Sequence, residues 1–340
     1  MTSVVITGGA GFLGSRLAGE LLAAGELQVA GEPAAPVSSV TIVDLAPPPA
    51  RLLTDPRVRV VRGDTARLFD PASGGPGLLA GADVVFHLAA AVSGECEADF
   101  DLGMRANLLA TESLLASCRA AGSRPVVVFA SSVAVFGGSR EHPLPDVVDD
   151  HTQPNPQSSY GTQKLIGERL LADYTRKGFL RGRAARLMTV SVRPGRPNAA
   201  ASGFLSAIIR EPLAGQRAVC PVPPRTAVAL ASPARAIEGL LCAAGAADGA
   251  WGGRSAVNLP ALTVTVADMV AGLERAGGPA AAELIDWVPD PAVARIVTGW
   301  PARFRTDRAA RLGLTADEDF DAVIALHAAE AAASRGDAAL

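Results

Sequence analysis

The sequence predicts an α/β protein built on a doubly wound parallel sheet, with a smaller and mostly helical second lobe. Apolar strand-like runs alternate with helical patterns through the first half of the chain, which is the habit of βαβ units. A glycine-rich turn follows the first run, and the alternation ends near residue 193. A chain of 340 residues is long enough for one large core or for two domains of unequal size.

Strands are predicted for the apolar runs at 3–7, 39–44, 57–62, 83–88, 125–131 and 184–190. Helical periodicity in the same half covers 12–24, 97–121 and 156–177. Residues 26–38, with two prolines, and the Gly/Pro stretch 70–77 are predicted as surface insertions.

Arg193-Pro194-Gly195 ends the regular alternation and is predicted to mark the crossing into the second lobe. Further helices are predicted at 200–214, 232–246, 265–276, 290–298, 306–312 and 316–334. A proline-rich loop at 219–225 and a strand at 255–259 complete this half. The predicted first domain is 1–193 plus about 228–258, and the predicted substrate-binding lobe is 194–227 plus about 259–340.

Composition excludes several classes of function. The formal charge of -3 and pI near 5.9 provide no basic field for nucleic acid or for an anionic membrane. The four cysteines are scattered without a CxxC or metal-ligand spacing, so they are interpreted as buried thiols, and no metal site is predicted. With no secretory pattern and no apolar run of ~20 residues, a cytoplasmic location is predicted.

The segment Thr7-Gly8-Gly9-Ala10-Gly11-Phe12-Leu13-Gly14 has glycines three apart between a strand and a helix. In this setting the backbone can approach a pyrophosphate, and the positive helix start binds its charge. The candidate cofactor-binding residues here are Gly8, Gly11, Phe12, Leu13 and Gly14. The alternative is a glycine-rich turn that binds no ligand.

Asp44 ends the second strand, where a carboxylate can accept hydrogen bonds from both hydroxyls of an adenosine ribose. A 2′-phosphate at this position would meet like charge, so NAD is predicted over NADP. Asp64 and its neighbour Thr65 are candidates for the adenine end of the cofactor, although Asp64 could equally be a helix N-cap.

Tyr160 and Lys164 lie four residues apart on a predicted helix, so their side chains share one face. An ammonium close to a phenol favours its ionised form, which makes the phenol a base. Ser132 follows an apolar strand and could hydrogen-bond the reacting oxygen, with Ser131 as a weaker competitor. His87 is interpreted as a buried packing residue, and the small side chains after it would let the backbone run beneath a cofactor.

At these residues the chain resembles the extended short-chain dehydrogenase/reductase family, which includes nucleotide-sugar epimerases and dehydratases. The matching segments are 7–14, 87–90, Asn107, 131–137, 160–164 and 193–195. The resemblance implies a Rossmann-type first domain that binds NAD, with Ser132, Tyr160 and Lys164 as the catalytic group. It further implies cofactor-side positions for Leu88, Ala89, Ala90, Asn107 and Pro194.

Segments 190–204, 209–215, 288–291 and 300–304 are similar to a subgroup that oxidises the carbon 2 hydroxyl of a four-carbon sugar acid with NAD. Phe136 departs from the family, because many relatives have a tyrosine there. Arg196 is the predicted anchor for the substrate carboxylate, since arginine binds carboxylates in a planar bidentate geometry. Arg217 is a second candidate anchor, and Ser93 and Asn198 are further candidate substrate-binding residues.

The sequence therefore predicts NAD-dependent oxidation of a secondary alcohol beside a carboxylate, in a small sugar acid, by a protein that forms a homodimer. One alternative is a nucleotide-sugar epimerase or dehydratase that recycles its NAD. Another is a catalytically silent NAD-binding regulator, which would more naturally lack one of Ser132, Tyr160 and Lys164.

Overall fold

The computed structural model describes residues 1–195 and 200–337. The first part of the chain forms, in order, β1 (Thr2–Thr7), α1 (Phe12–Ala24), β2 (Glu26–Leu27), β3 (Ala35–Asp44), α2 (Ala50–Leu53), β4 (Val58–Arg62), α3 (Thr65–Leu68), α4 (Gly75–Leu78) and β5 (Val84–His87). It continues with α5 (Ser93–Ala98), α6 (Phe100–Gly103), a π-helical segment (Met104–Leu109), α7 (Ala110–Ala121), β6 (Val126–Ser132), α8 (Ser159–Arg176), β7 (Arg181–Leu187) and β8 (Thr189–Val190).

The remaining elements are α9 (Phe204–Leu213), β9 (Ala218–Cys220), β10 (Ala227–Ala231), α10 (Pro233–Gly245), α11 (Asp248–Trp251), β11 (Val257–Asn258), β12 (Leu262–Thr265), α12 (Val266–Gly277), α13 (Pro279–Ala282), β13 (Ile285–Trp287), α14 (Pro291–Thr298), α15 (Asp307–Arg311) and α16 (Phe320–Asp337). Among the described residues, no helix has both the length and the apolar character needed to cross a membrane.

The large sheet is parallel in the order β11-β7-β6-β5-β1-β3, and β4 pairs in parallel with the second half of β3. Only the short β2 runs antiparallel, against the start of β3. Strand order reverses between β1 and β5, and ligands bind outside the carboxyl ends of strands at such a point. The predicted doubly wound α/β fold is confirmed.

Helices pack on both faces of this sheet. One core contains Ile6, Ile42 and Leu240, and the core on the opposite face contains Val5, Leu114 and Phe129. Because successive strand residues point to opposite faces, adjacent residues such as Val5 and Ile6 contribute to different cores.

The second lobe has a core of its own. It brings together α9, α12 and α16, with buried residues such as Leu205, Met269 and Phe320. Two small sheets, β12-β10-β8 and β13-β9, lie with these helices. Ala309 of α15 and the following Leu314 pack into the same core as Ile6 and Leu240, and the predicted division of the chain into two domains stays a prediction.

Three predicted elements differ from the structure. β3 begins at Ala35, so part of the predicted insertion 26–38 is strand, and segment 70–77 contains a short 3₁₀ turn and the start of α4. The predicted helix 97–121 consists of α5, α6, the π-helical segment and α7. Apolar periodicity did not reveal these breaks, because consecutive short helical pieces can bury the same side of the chain.

Candidate functional site

The glycine loop between β1 and α1 is built so that side chains are excluded from it. Gly8 has a positive φ of 68°, and a Cβ there would lie 2.6 Å from the backbone nitrogen of Ala89. A Cβ on Gly14 would overlap the carbonyl oxygen of Gly8. Helix α1 starts directly after Gly11 with no side-chain cap, so its first N–H groups can bind an anion. These residues fit the pyrophosphate of a dinucleotide.

Asp44 lies at the carboxyl end of β3, beside the glycine loop. Its Oδ2 accepts a hydrogen bond from the backbone N–H of Ala10 at 2.9 Å, and its Oδ1 accepts one from Ala46 at 3.1 Å. Each carboxylate oxygen has a second lone pair for a ligand hydroxyl. Asp64 caps α3 by accepting a hydrogen bond from the N–H of Arg67 at 3.1 Å, and Thr65 is the first residue of that helix. The contacts of Asp64 are therefore those of the N-cap alternative, and its role toward adenine stays a prediction.

A cavity of about 240 Å³ lies between this loop, the ends of the central strands and the second lobe. Residues predicted to be catalytic, to bind the cofactor or to bind the substrate all contribute to its lining. They are Gly8, Gly11, Phe12, Leu13, Gly14, Leu88, Ala90, Ser93, Ser132, Tyr160 and Lys164. The structure therefore brings the predicted catalytic group together with the glycine loop.

Helix α8 approaches β6 closely enough to place Tyr160 and Lys164 over the end of that strand. The hydroxyl of Ser158 caps α8 by accepting a hydrogen bond from Gly161, and a Cβ on Gly161 would overlap the Ala134 carbonyl oxygen. Lys164 is buried and donates from Nζ to the carbonyl oxygen of Ala130 at 2.9 Å. Its Nζ lies 5.8 Å from the centre of the Tyr160 ring.

The electrostatics of Tyr160 differ in part from the sequence expectation. Burial raises the pKa of Tyr160, while the hydrogen bond to Ser132 and the charge of Arg193 lower it. Thus Ser132 and Arg193, rather than Lys164, stabilise the phenolate in this structure. Burial also lowers the pKa of Lys164 to about 8, with attraction from Cys96 and Glu168 acting in the opposite direction.

His87 is a neutral, buried part of the scaffold. Its Nδ1 lies 2.7 Å from the hydroxyl of Thr7, and its Nε2 lies 2.9 Å from the hydroxyl of Thr111. Because Thr111 donates its proton to the Asn107 carbonyl oxygen at 2.6 Å, the network assigns the ring proton to Nε2. Burial lowers the pKa of His87 to about 3, so it places no charge beneath Lys164.

Asn107 lies within the π-helical segment, and such segments often occur at functional sites. Its Oδ1 accepts a hydrogen bond from the N–H of Ala91 at 2.8 Å, and its Nδ2 donates to Gln163 Oε1 at 2.8 Å. Asn107 is not among the residues that line the cavity. Its side chain instead connects the turn after β5 to α8. In the same turn, the N–H of Ala89 bonds to Thr7 Oγ1 at 3.3 Å.

The predicted substrate-binding residues are not all found at the cavity. Arg217 is exposed and forms a bidentate ion pair with Asp286 on the small β9-β13 sheet, and its role as a substrate anchor stays a prediction. Arg196 and Asn198 lie outside the described residues. Pro194 lines a separate groove next to the glycine loop. Ser93 lines the cavity, and its hydroxyl accepts a hydrogen bond from the N–H of Ala201 at 3.1 Å.

Arg193 is the main residue that sequence reasoning missed. It lines the same cavity as Ser132 and Tyr160, is partly buried, and donates from Nε to the Val190 carbonyl oxygen at 2.9 Å. Arg193 belongs to the Arg-Pro-Gly segment, which sequence reasoning used as a lobe boundary and as a family motif but not as a source of site residues. Thr189, Ser202 and Trp300 also line the cavity without having been predicted.

Comparison with known families identifies the chain. Residues 4–227 match the NAD dependent epimerase/dehydratase family. The chain belongs to this epimerase/dehydratase family. The resemblance to extended short-chain dehydrogenases that the motifs indicated is confirmed, and the cofactor of this family member is NAD.

Relatives of this epimerase/dehydratase family member match over nearly the full length. It is 51% identical to a D-erythronate dehydrogenase of Cupriavidus necator, covering 95% of this chain and 96% of the relative. It is 40% identical to a D-erythronate dehydrogenase of Haemophilus influenzae, covering 94% and 97%. A solved nucleoside-diphosphate-sugar epimerase from Agrobacterium tumefaciens superposes with a TM-score of 0.86 at 40% identity, covering 96% and 93%. The two full-length relatives are named dehydrogenases, which is consistent with an NAD-dependent oxidoreductase that acts on a CH–OH group.

Proposed function

We propose that this protein uses NAD to oxidise the carbon 2 hydroxyl of a short sugar acid, D-erythronate or a close analogue, to the 2-oxo acid. The observation that carries the proposal is a partly buried arginine, Arg193, that lines the same cavity as Ser132 and Tyr160. The names of the two full-length relatives support the same substrate class.

In this proposal Tyr160 is the general base. Its phenolate removes the proton of the substrate hydroxyl, while Ser132, which bonds to Tyr160, orients the same oxygen. Lys164 is held in position by its hydrogen bond to the Ala130 carbonyl oxygen, and in this proposal it binds the nicotinamide ribose of the cofactor. The glycine loop would hold NAD, and bound NAD would supply the acceptor for the hydride that leaves the substrate carbon.

Arg193 is proposed to bind the substrate carboxylate. A guanidinium pairs with a carboxylate through parallel N–H···O bonds, and a buried pair is less screened than an exposed one. The bonds of Arg193 to the Val190 carbonyl and from Arg210 to its own carbonyl oxygen restrict its movement. Hydroxyls of Ser93, Thr189 and Ser202 in the lining can bind the remaining oxygens of a sugar acid.

The 40% identity to a protein described as a nucleoside-diphosphate-sugar epimerase keeps a nucleotide-sugar reaction as the second candidate.

The test is an assay of the whole enzyme with NAD against four- to six-carbon sugar acids and against nucleotide-sugars. We expect net NADH production with a short acid. Conversion of a nucleotide-sugar without net NADH production would reject the dehydrogenase proposal in favour of the second candidate.

Arginine variants test the anchor. Arg193→Met should raise KM for the acid by roughly ten- to a hundredfold, from the ~1.5–3 kcal/mol typical of a hydrogen bond to a charged group. Arg217→Met, which breaks only the exposed pair with Asp286, is the matched control and should leave KM unchanged. Arg196→Ala in the same assay tests the anchor that the sequence predicts. A large rise in KM for this variant, with an unchanged KM for Arg193→Met, would assign the substrate carboxylate to Arg196 instead.

A further inference from the structure

Three successive turns of α8 contact three consecutive residues at the end of β6. Tyr160 bonds to the Ser132 hydroxyl, Lys164 donates to the Ala130 carbonyl, and Glu168 accepts from the hydroxyl of Ser131 at 2.5 Å. Residues four apart lie on one face of a helix, so this face of α8 carries the tyrosine and the lysine of the catalytic group plus one carboxylate. The proposed reaction assigns no role to Glu168.

Glu168 is buried and ion-paired. Its side chain is 4% exposed, and its two oxygens accept hydrogen bonds from Arg186 Nε at 2.8 Å and Nη2 at 2.7 Å. Arg186 on β7 also donates to Asn258 Oδ1 at 3.2 Å, and its guanidinium lies 4.8 Å from the centre of the Phe136 ring. A buried ion pair adds little net stability over an apolar pair of the same shape, so its presence beside a catalytic lysine calls for another explanation.

The Ser131 contact gives Glu168 a geometric effect. Ser131 lies between the two β6 residues that contact Lys164 and Tyr160, and its hydroxyl bonds to a carboxylate that Arg186 holds in place. The strand end therefore cannot shift relative to α8 without breaking a charge-assisted hydrogen bond.

The charge of Glu168 has a second effect. Lys164 faces Tyr160 and Glu168 on its own helix, Cys96 on α5 and the neutral His87 on β5. Burial works against its ammonium, and Glu168 is one of two groups that act in the opposite direction. Arg186 balances the Glu168 charge, so the loss of either partner would change the field at Lys164.

We propose that Glu168, paired with Arg186, is a positioning residue that holds the end of β6 against α8 and keeps Lys164 protonated. The inference rests on the proposed function, because it assumes that Ser132, Tyr160 and Lys164 form the catalytic group.

The sequence makes a direct test possible, because the chain has only two lysines, Lys164 and Lys177. Labelling with ε-¹³C-lysine therefore gives two NMR signals, and the exposed Lys177 serves as an internal reference. Titration of the cofactor-free protein reports the pKa of Lys164 without any assay of activity.

Two single variants should shift this titration in opposite directions. Glu168→Gln keeps an acceptor for Ser131 but leaves Arg186 unbalanced, so the pKa of Lys164 should fall by about one unit. Arg186→Gln leaves the carboxylate unbalanced, so the same pKa should rise. Asp173→Asn, which removes an exposed pair on the same helix, is the control and should leave the titration of Lys164 unchanged. If the pKa of Lys164 shifts in the same direction in both variants, or in neither, the Glu168–Arg186 pair only supports the fold and does not set the charge of Lys164.

Ser131→Ala separates position from charge. It should leave the titration of Lys164 unchanged and lower kcat by roughly ten- to a hundredfold through misplacement of the strand end. Unchanged kcat would overturn the positioning part. A wild-type enzyme that oxidises no acid would instead contradict the proposed function, while the lysine titrations would keep their meaning.

Discussion

Tyr160 has to lose a proton that its surroundings help it to keep. Burial raises the pKa of its phenol, and two neighbours, Ser132 and Arg193, lower it. The base form of Tyr160 is needed for oxidation, so deprotonation should govern the pH profile. Because burial is the largest effect and leaves this pKa raised, we expect kcat/KM for alcohol oxidation to rise with pH through the neutral range and to keep rising into the alkaline range.

Tyr160→Phe tests this directly. The variant should fold and bind NAD, because the ring remains, while kcat falls by roughly 10²–10⁴-fold with the loss of the base. The chain's other tyrosine, Tyr174, packs edge-on against Phe179, and Tyr174→Phe is the matched control with near-normal turnover. Normal turnover of Tyr160→Phe would remove it from the mechanism.

Asp44 should set the preference for NAD over NADP. Its carboxylate can accept bonds from the ribose hydroxyls and repels a 2′-phosphate. In the wild-type enzyme, kcat/KM should be much higher with NAD than with NADP. Asp44→Asn should bring the two kcat/KM values closer together, mainly by weakening the binding of NAD. The comparison variant is Asp64→Asn, which keeps a good N-cap for α3. This variant should change the ratio of kcat/KM with NAD to kcat/KM with NADP very little. Equal kcat/KM with the two cofactors in the wild-type enzyme would contradict the role given to Asp44.

At the scale of elements, the packing of α1 against β1 decides whether the glycine loop can hold a dinucleotide. Gly14→Ala should prevent the close approach, because its Cβ would overlap the Gly8 carbonyl oxygen. Calorimetric NAD binding should then be abolished or greatly weakened. Gly19→Ala on the same helix meets no atom within 4 Å and should keep NAD binding, with stability raised by about 0.5–1 kcal/mol. Equal NAD affinity in the two variants would argue against this packing role.

The helices of the first domain show which features a sequence pattern can predict. The predicted helices 12–24 and 156–177 correspond closely to α1 and α8, since each is a long amphipathic run with a cap or a glycine at its start. The predicted helix 97–121 is divided in the structure. The π-helical turn that directs Asn107 toward Ala91 and Gln163 depends on contacts 16 and 56 residues away along the chain. No local pattern encodes those contacts.

At the scale of the whole molecule, a homodimer stays a prediction. Large apolar side chains are exposed on neighbouring helical segments: Leu109 at 44% on the π-helical segment and Ile166 at 37% on α8. The double variant Leu109→Glu/Ile166→Glu should shift the mass measured by light scattering from dimer to monomer. Val288→Glu changes an exposed apolar residue after β13 and should keep the wild-type mass. A wild-type monomer would reject the prediction.

The sequence by itself determined the fold class, the glycine loop and the Tyr160-Lys164 pair, because each depends on local spacing that a strand, a turn or a helix turns directly into geometry. Only the tertiary structure decided that Arg193 lines the cavity and that Arg217 pairs with Asp286. These two residues carry the same side chain. Arg193 enters the site because β8 and α9 position its backbone, while Arg217 pairs with Asp286 through the β9-β13 sheet. Burial, and with it the pKa of Lys164 and Tyr160, likewise comes from residues distant in sequence that fold onto one strand end.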